Sequence, residues 1–143
     1  KTLSAAESCT GGTISALLTS VSGSSAYYLG SVTSYANEIK MNVLGVPEEI
    51  INQHGAVSSE CVAAMAEGVR RLTGSDYSVA TSGIAGPGGG SEEKPVGLVW
   101  IGVSSNKGTE TFKMLFRSDR KRNIERFASS ALNKLREKLV NEL

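Results

Sequence analysis

Hydrophobic and polar positions follow two periods along this chain, and the two alternate. Short apolar or β-branched runs stand at 3–6, 26–36, 77–82, 97–103 and 110–117, and they predict five strands. The 97–103 run is apolar throughout, as in a strand covered on both faces. The 110–117 run alternates and reads as nearer an edge.

Between the strands the period becomes helical. Ile14, Leu17, Leu18 and Val21 share one face of a helix predicted over Thr10–Val21, with Gly23 as its stop. Asn37 reads as the cap of a short helix carrying Glu38, Lys40, Met41 and Leu44, ended by Gly45. Pro47, Glu48 and Glu49 mark the first turn of another, which stops at Gly55. The clearest helix is Ser58–Thr73, where Val62, Met65, Ala66, Val69 and Leu72 recur at i, i+3, i+4 before Gly74. The last begins near Asp119 and carries Ile124, Phe127, Ala128, Ala131, Leu132, Leu135 and Leu139 on one stripe.

Interleaved strands and helices predict a three-layer α/β/α sandwich, built on a mixed, mostly parallel sheet of about five strands. The short SSNKGT turn makes the last two strands an antiparallel pair. At 143 residues the chain is long enough for one cored domain, 1–143.

A net charge of +1 gives no electrostatic case for nucleic acid or membrane partners. No apolar run approaches the ~18–20 residues that span a bilayer. Two cysteines, Cys9 and Cys61, are too few for a disulfide framework, and no Cys/His spacing suits zinc. A reducing cytoplasm is the expected compartment. The chain opens at Lys1, almost directly on a strand, which leaves room for a segment upstream.

Candidate chemistry concentrates in AAESCTGG, residues 5–12. Ser8 falls where a strand meets a helix, at the edge of the sheet where open α/β folds place ligands. Helix-terminal amides there suit an anion or oxyanion, and Gly11 and Gly12 let a ligand approach the backbone. An N-cap made by Ser8 or Thr10 accounts for the same residues. Cys9, a thiol near a helix start, is an alternative nucleophile.

A serine nucleophile needs a base. The only histidine, His54, sits at a helix C-terminus, where the dipole alone explains it. As an isolated residue Lys40 reads first as a surface lysine. It could act as a base if burial or a neighbouring cation lowered its pKa. SGIAGPGGG, 82–90, follows a strand and can wrap backbone amides around a phosphate. RSDRKR, 117–122, places four cations at the wrong end of a helix for its dipole, which leaves either a solvated charge run or a phosphate clamp using Arg120.

AAESCTGG, SVTSYANEIKMNVLGV, GAVSSE, SGIAGPGGGSEEKPVGLVWIGV and SDR, in this order, resemble the CinA C-terminal family of nicotinamide-nucleotide amidohydrolases over essentially the whole chain. The resemblance implies hydrolysis of the carboxamide of nicotinamide mononucleotide to nicotinic acid mononucleotide and ammonia, without metal or cofactor. It places the family's serine on Ser8, its tyrosine on Tyr35 and its lysine on Lys40. Thr10, Gly11, Ser82, Gly83, Gly86, Gly88, Gly89 and Arg120 are then expected to bind substrate. The small molecule is the expected partner, and a homo-oligomer is left open. Two departures stand out: Thr81-Ser82-Gly83 replaces Val-Thr-Gly, and Ser118-Asp119-Arg120 replaces Gly-Asp-Arg. A non-catalytic nucleotide-binding module is the competing function.

Overall fold

A computed structural model describes residues 1–143. Five strands are present: β1 (Leu3–Glu7), β2 (Tyr28–Thr33), β3 (Tyr77–Gly83), β4 (Leu98–Ser105) and β5 (Gly108–Leu115). So are five helices: α1 (Thr13–Thr19), α2 (Asn37–Asn42), α3 (Glu48–His54), α4 (Ser59–Thr73) and α5 (Arg120–Glu142). The sheet runs in the order β2-β1-β3-β4-β5. β1 pairs in parallel with β2 and β3, while β3–β4 and β4–β5 are antiparallel. The pairing is therefore evenly mixed rather than mostly parallel. The Gly-rich segment after β3 reverses the chain at the same end of the sheet, so β4 returns beside β3 without a crossover.

Helices cover both faces. Ile14 of α1 and Phe127, Ala128, Ala131 and Leu135 of α5 bury against Leu3, Ala5, Val79, Ile101 and Val103. On the other face Val62, Met65, Ala66 and Val69 of α4 pack with Leu44, Val46, Ala6 and Ala80. Each large side chain buried this way contributes roughly 1.5–3 kcal/mol.

Helix ends differ from the sequence expectation for local reasons. Gly11 and Gly12 adopt φ of 57° and 105°, so α1 starts only at Thr13. Ala36, not Asn37, is the N-cap of α2. α5 does begin where the sequence places it, with Asp119 as its cap, Oδ1 accepting from Arg122 N at 2.9 Å. The far end of α5 is held by Glu142, which accepts from Ser105 Oγ at 2.8 Å and Tyr77 Oη at 3.1 Å. Anchored at both ends, α5 holds Arg120 at a defined place beside the carboxyl end of β3.

Gly68 of α4 lies against the backbone carbonyl of Leu44, where an added Cβ would collide with the oxygen. Ala ordinarily favours a helix over Gly by about 1 kcal/mol. Here the clash reverses that sign. Gly68→Ala is expected to lose roughly 1–3 kcal/mol, several degrees of Tm, in thermal unfolding. An unchanged or higher Tm would show that α4 and the Leu44 turn after α2 can separate without cost.

Candidate active site

Alternation along β1 separates two neighbours that look alike in sequence. Leu3 and Ala5 face α1 and α5, and Ala6 faces α4. Glu7 and Ser8, at the end of the strand, are sent to opposite sides. The Glu7 carboxylate is fully buried and caps α1. Its Oε1 accepts from Thr10 Oγ1 at 2.6 Å, Gly12 N at 3.2 Å and Ile14 N at 2.9 Å, and its Oε2 from Ser15 N at 3.0 Å. This answers why the turn is so crowded: the carboxylate, not a hydroxyl, satisfies the helix start. It also corrects the expectation that α1 offers its terminal amides to a ligand, because Glu7 already uses them.

The Ser8 hydroxyl is left without a partner in the protein. Only its main chain is tied, with N donating to Thr81 O and O accepting from Gly11 N, both at 3.1 Å. The next two amides, Cys9 N–H and Thr10 N–H, bond no acceptor in the protein. Of these two residues only Cys9 lines the cavity with Ser8, which puts one unbonded N–H beside the hydroxyl where an oxyanion would develop.

Ser8 opens into a cavity of about 270 Å³ that also takes in Cys9, Tyr35, Asn37, Lys40, Ala56, Val57, Ser82, Gly83, Ile84, Ala85, Gly86, Gly88, Gly89 and Arg120. Nine of the eleven residues expected from sequence therefore meet here. Thr10 and Gly11 do not line the cavity. The Thr10 hydroxyl turns inward to Glu7 and to Thr81 Oγ1, 2.9 Å away, and Gly11 is exposed, serving the turn.

Lys40 is only 1% exposed. Its Nζ donates to Tyr35 O at 3.1 Å, with no other hydrogen bond and no carboxylate partner. Burial lowers its pKa, and the thiols of Cys61 and Cys9 oppose that shift without cancelling it. No neighbouring cation contributes. No direct hydrogen bond joins Lys40 Nζ to Ser8 Oγ, and the bond to the Tyr35 carbonyl uses one of the amine's three donors.

The same dry surroundings count against the alternative nucleophile. Burial pushes the Cys9 thiol up to about 12 and Cys61 to about 11, far from the thiolate. His54 lies outside the cavity, its Nδ1 3.8 Å from Glu60, so no Ser-His pair forms. No group of His, Cys, Asp or Glu side chains is arranged to hold a metal ion.

On the opposite wall the Gly-rich loop is pinned at its ends, Ile84 N to Leu98 O at 2.8 Å and Gly97 N to Ile84 O at 2.7 Å. Between them the amides of Ala85, Gly86, Gly88, Gly89 and Gly90 bond no protein acceptor. Nothing lies within 4 Å of where a Cβ on Gly88 would stand. Two side chains of α5 hold the loop. Arg120 Nη1 donates to Gly86 O at 2.8 Å and Nη2 to Tyr35 Oη at 3.4 Å. Asn123, fully buried, donates through Nδ2 to Ala85 O and Ser118 O, both at 3.0 Å.

Asn123 and Asn37 were missed from sequence. Asn123 sits beside the apolar stripe of α5, and a buried polar residue next to a stripe was the available signal. Asn37 read as a cap. Its side chain makes no cap bond and lines the cavity instead.

The family of CinA C-terminal domains matches residues 1–139. The chain belongs to that family. A CinA-like protein of Endomicrobium trichonymphae is 53% identical over 140 residues, which is 98% of this chain and 33% of that protein. One from Parasynechococcus marenigrum is 51% identical over 142 residues, 98% of this chain and 34% of the relative. The chain thus spans about a third of the length of these curated relatives. Among solved structures, a competence damage-inducible protein A (ComA) from Klebsiella pneumoniae superposes with TM-score 0.93 at 40% identity, covering 97% of this chain and 86% of that one. The competence/damage inducible protein CihA from Agrobacterium tumefaciens gives 0.92 at 39%, covering 94% and 82%. The CinA fold is therefore shared at high identity, and no helix of this chain is long and apolar enough to cross a membrane.

Proposed function

We propose that this CinA C-terminal domain hydrolyses the carboxamide of nicotinamide mononucleotide to nicotinic acid mononucleotide and ammonia. The observation that carries the reading is one cavity that holds an unbonded serine hydroxyl, a buried lysine without a carboxylate, and a loop of unbonded amides beside an arginine. Few reactions use all three. Ser8 Oγ attacks the carboxamide carbon while Lys40, as the neutral amine, takes its proton. The Cys9 amide, on the cavity wall beside Ser8, receives the developing oxyanion. Lys40 then gives the proton to the departing nitrogen, ammonia leaves, and water hydrolyses the Ser8 ester by the same route in reverse. Tyr35 packs on or hydrogen-bonds the pyridine-ribose portion. Ser82, the 83–90 loop and Arg120 hold the phosphate.

The test is ammonia release from the mononucleotide, from its riboside and from free nicotinamide. The mononucleotide is expected to be hydrolysed far faster than the other two, because remote binding energy positions the amide. Arg120→Ala should lower kcat/KM for the mononucleotide by about 10–100-fold and narrow its lead over the riboside. Binding of the mononucleotide without ammonia release would leave a nucleotide-binding module. Equal rates on all three substrates would remove the phosphate clamp.

A further inference from the structure

Both functional cations are engaged by one residue. Arg120 Nη2 donates to the Tyr35 hydroxyl at 3.4 Å, and Lys40 Nζ donates to the Tyr35 carbonyl at 3.1 Å. Tyr35 itself is 64% exposed, so packing alone does not hold it. The stretch that carries it is short: Ser34 N is tied to Glu7 O at 2.7 Å, and α2 begins at Asn37. Only Tyr35 and Ala36 lie between a fixed point on β1 and the helix that bears Lys40. Tyr35 thus holds Arg120 through its ring and Lys40 through its carbonyl, the single acceptor of the lysine.

Both cations are held by protein acceptors here. Arg120 donates one N–H from each terminal nitrogen, to Gly86 O and Tyr35 Oη, while the loop amides beside it bond no protein acceptor. Lys40 makes its one protein hydrogen bond to Tyr35 and none to Ser8. A dianionic phosphate on the loop forms charge-assisted bonds to guanidinium that are about twice as strong as a neutral hydroxyl contact. It would draw Arg120 off Tyr35.

We infer that Tyr35 is a positioning residue that couples phosphate binding to the base: an Arg120-bound phosphate releases the Tyr35 hydroxyl, the 35–36 segment relaxes, and Lys40 turns from the Tyr35 carbonyl to Ser8. This rests on the amidohydrolase reading and adds to it. The phosphate then does more than anchor substrate. Its binding energy is spent on assembling the catalytic pair, and it should appear in kcat as well as KM.

The coupling can be tested with the substrate cut in two. Wild type and Tyr35→Phe are given nicotinamide riboside with increasing inorganic phosphate, and ammonia release is followed. Phosphate affinity is measured separately, by competition against the mononucleotide. In the wild type, phosphate in trans should raise kcat/KM on the riboside by about tenfold or more. In Tyr35→Phe the ratio of rates with and without phosphate should fall to about unity while phosphate still competes, because Arg120 and the loop are intact. A merely structural tyrosine would lower both rates and leave the ratio in place. No activation in a wild type that hydrolyses the mononucleotide overturns the coupling alone, as does equal activation of the variant. A wild type inert toward the mononucleotide overturns the amidohydrolase reading and the coupling with it.

Discussion

Ser8→Ala is expected to lose roughly 10⁴–10⁶-fold in kcat for mononucleotide hydrolysis, the scale seen when a nucleophile is removed from a site that still binds its substrate. Stability should barely change. The hydroxyl bonds nothing in the protein, and the α1 start is capped by Glu7, so no donor or acceptor is orphaned. Mononucleotide affinity should be retained as well, because the loop and Arg120 are untouched. The measurements are single-turnover ammonia release, thermal unfolding and a binding titration. Cys9→Ser is the companion, and its activity should be of the same order as wild type, since burial keeps the Cys9 thiol protonated at about 12. A dead Cys9→Ser beside an active Ser8→Ala would move the nucleophile by one residue.

Lys40→Met is expected to separate function from stability. Turnover should fall by about 10²–10⁴-fold, the usual contribution of a general base. The variant should also melt at a higher temperature near neutral pH. Lys40 is buried without a carboxylate, and Met fills a similar volume with no charge to desolvate. The sign with pH follows from its lowered folded pKa. Between that value and the unfolded value of about 10.4 the unfolded chain holds more protons, so wild-type stability rises with pH across the window. The Tm advantage of Lys40→Met is therefore full below the folded pKa and shrinks above it. Wild-type activity rises over the same limb as the neutral amine accumulates. A variant that keeps turnover, or that is less stable than wild type at every pH, would contradict a desolvated base at this position.

The five strands and five helices were legible because each buries a face whose period the side chains must obey. Val62, Met65, Ala66 and Val69 can share a core only at helical spacing, and the apolar 97–103 run can be satisfied only between two layers. Caps, turns and the Gly-rich loop are local chemistry too, and they fell within a few residues of their places. The motif blocks named the family for the same reason, since a motif is a local string.

What the chain's linear order could not decide is which way neighbouring side chains point and what lies across the sheet from them. Glu7 and Ser8 are adjacent, yet pleating sends one to cap α1 and leaves the other free in the cavity. Thr10, three residues on, follows Glu7 inward rather than joining the site. Lys40 looks like a surface residue until α2 folds over the carboxyl end of β1. Only then do Cys9, Cys61 and Tyr35, contributed by separate elements, close around it, and the burial lowers its pKa against the opposing pull of the two thiols. Arg120 reads as one of four cations in a charge run, and it is the position of α5 against the 83–90 loop that singles it out. Local periodicity determined the elements of this protein. Burial and juxtaposition across more than 30 residues of chain decided which side chains do chemistry, because desolvation and electrostatic contact exist only after the layers have packed.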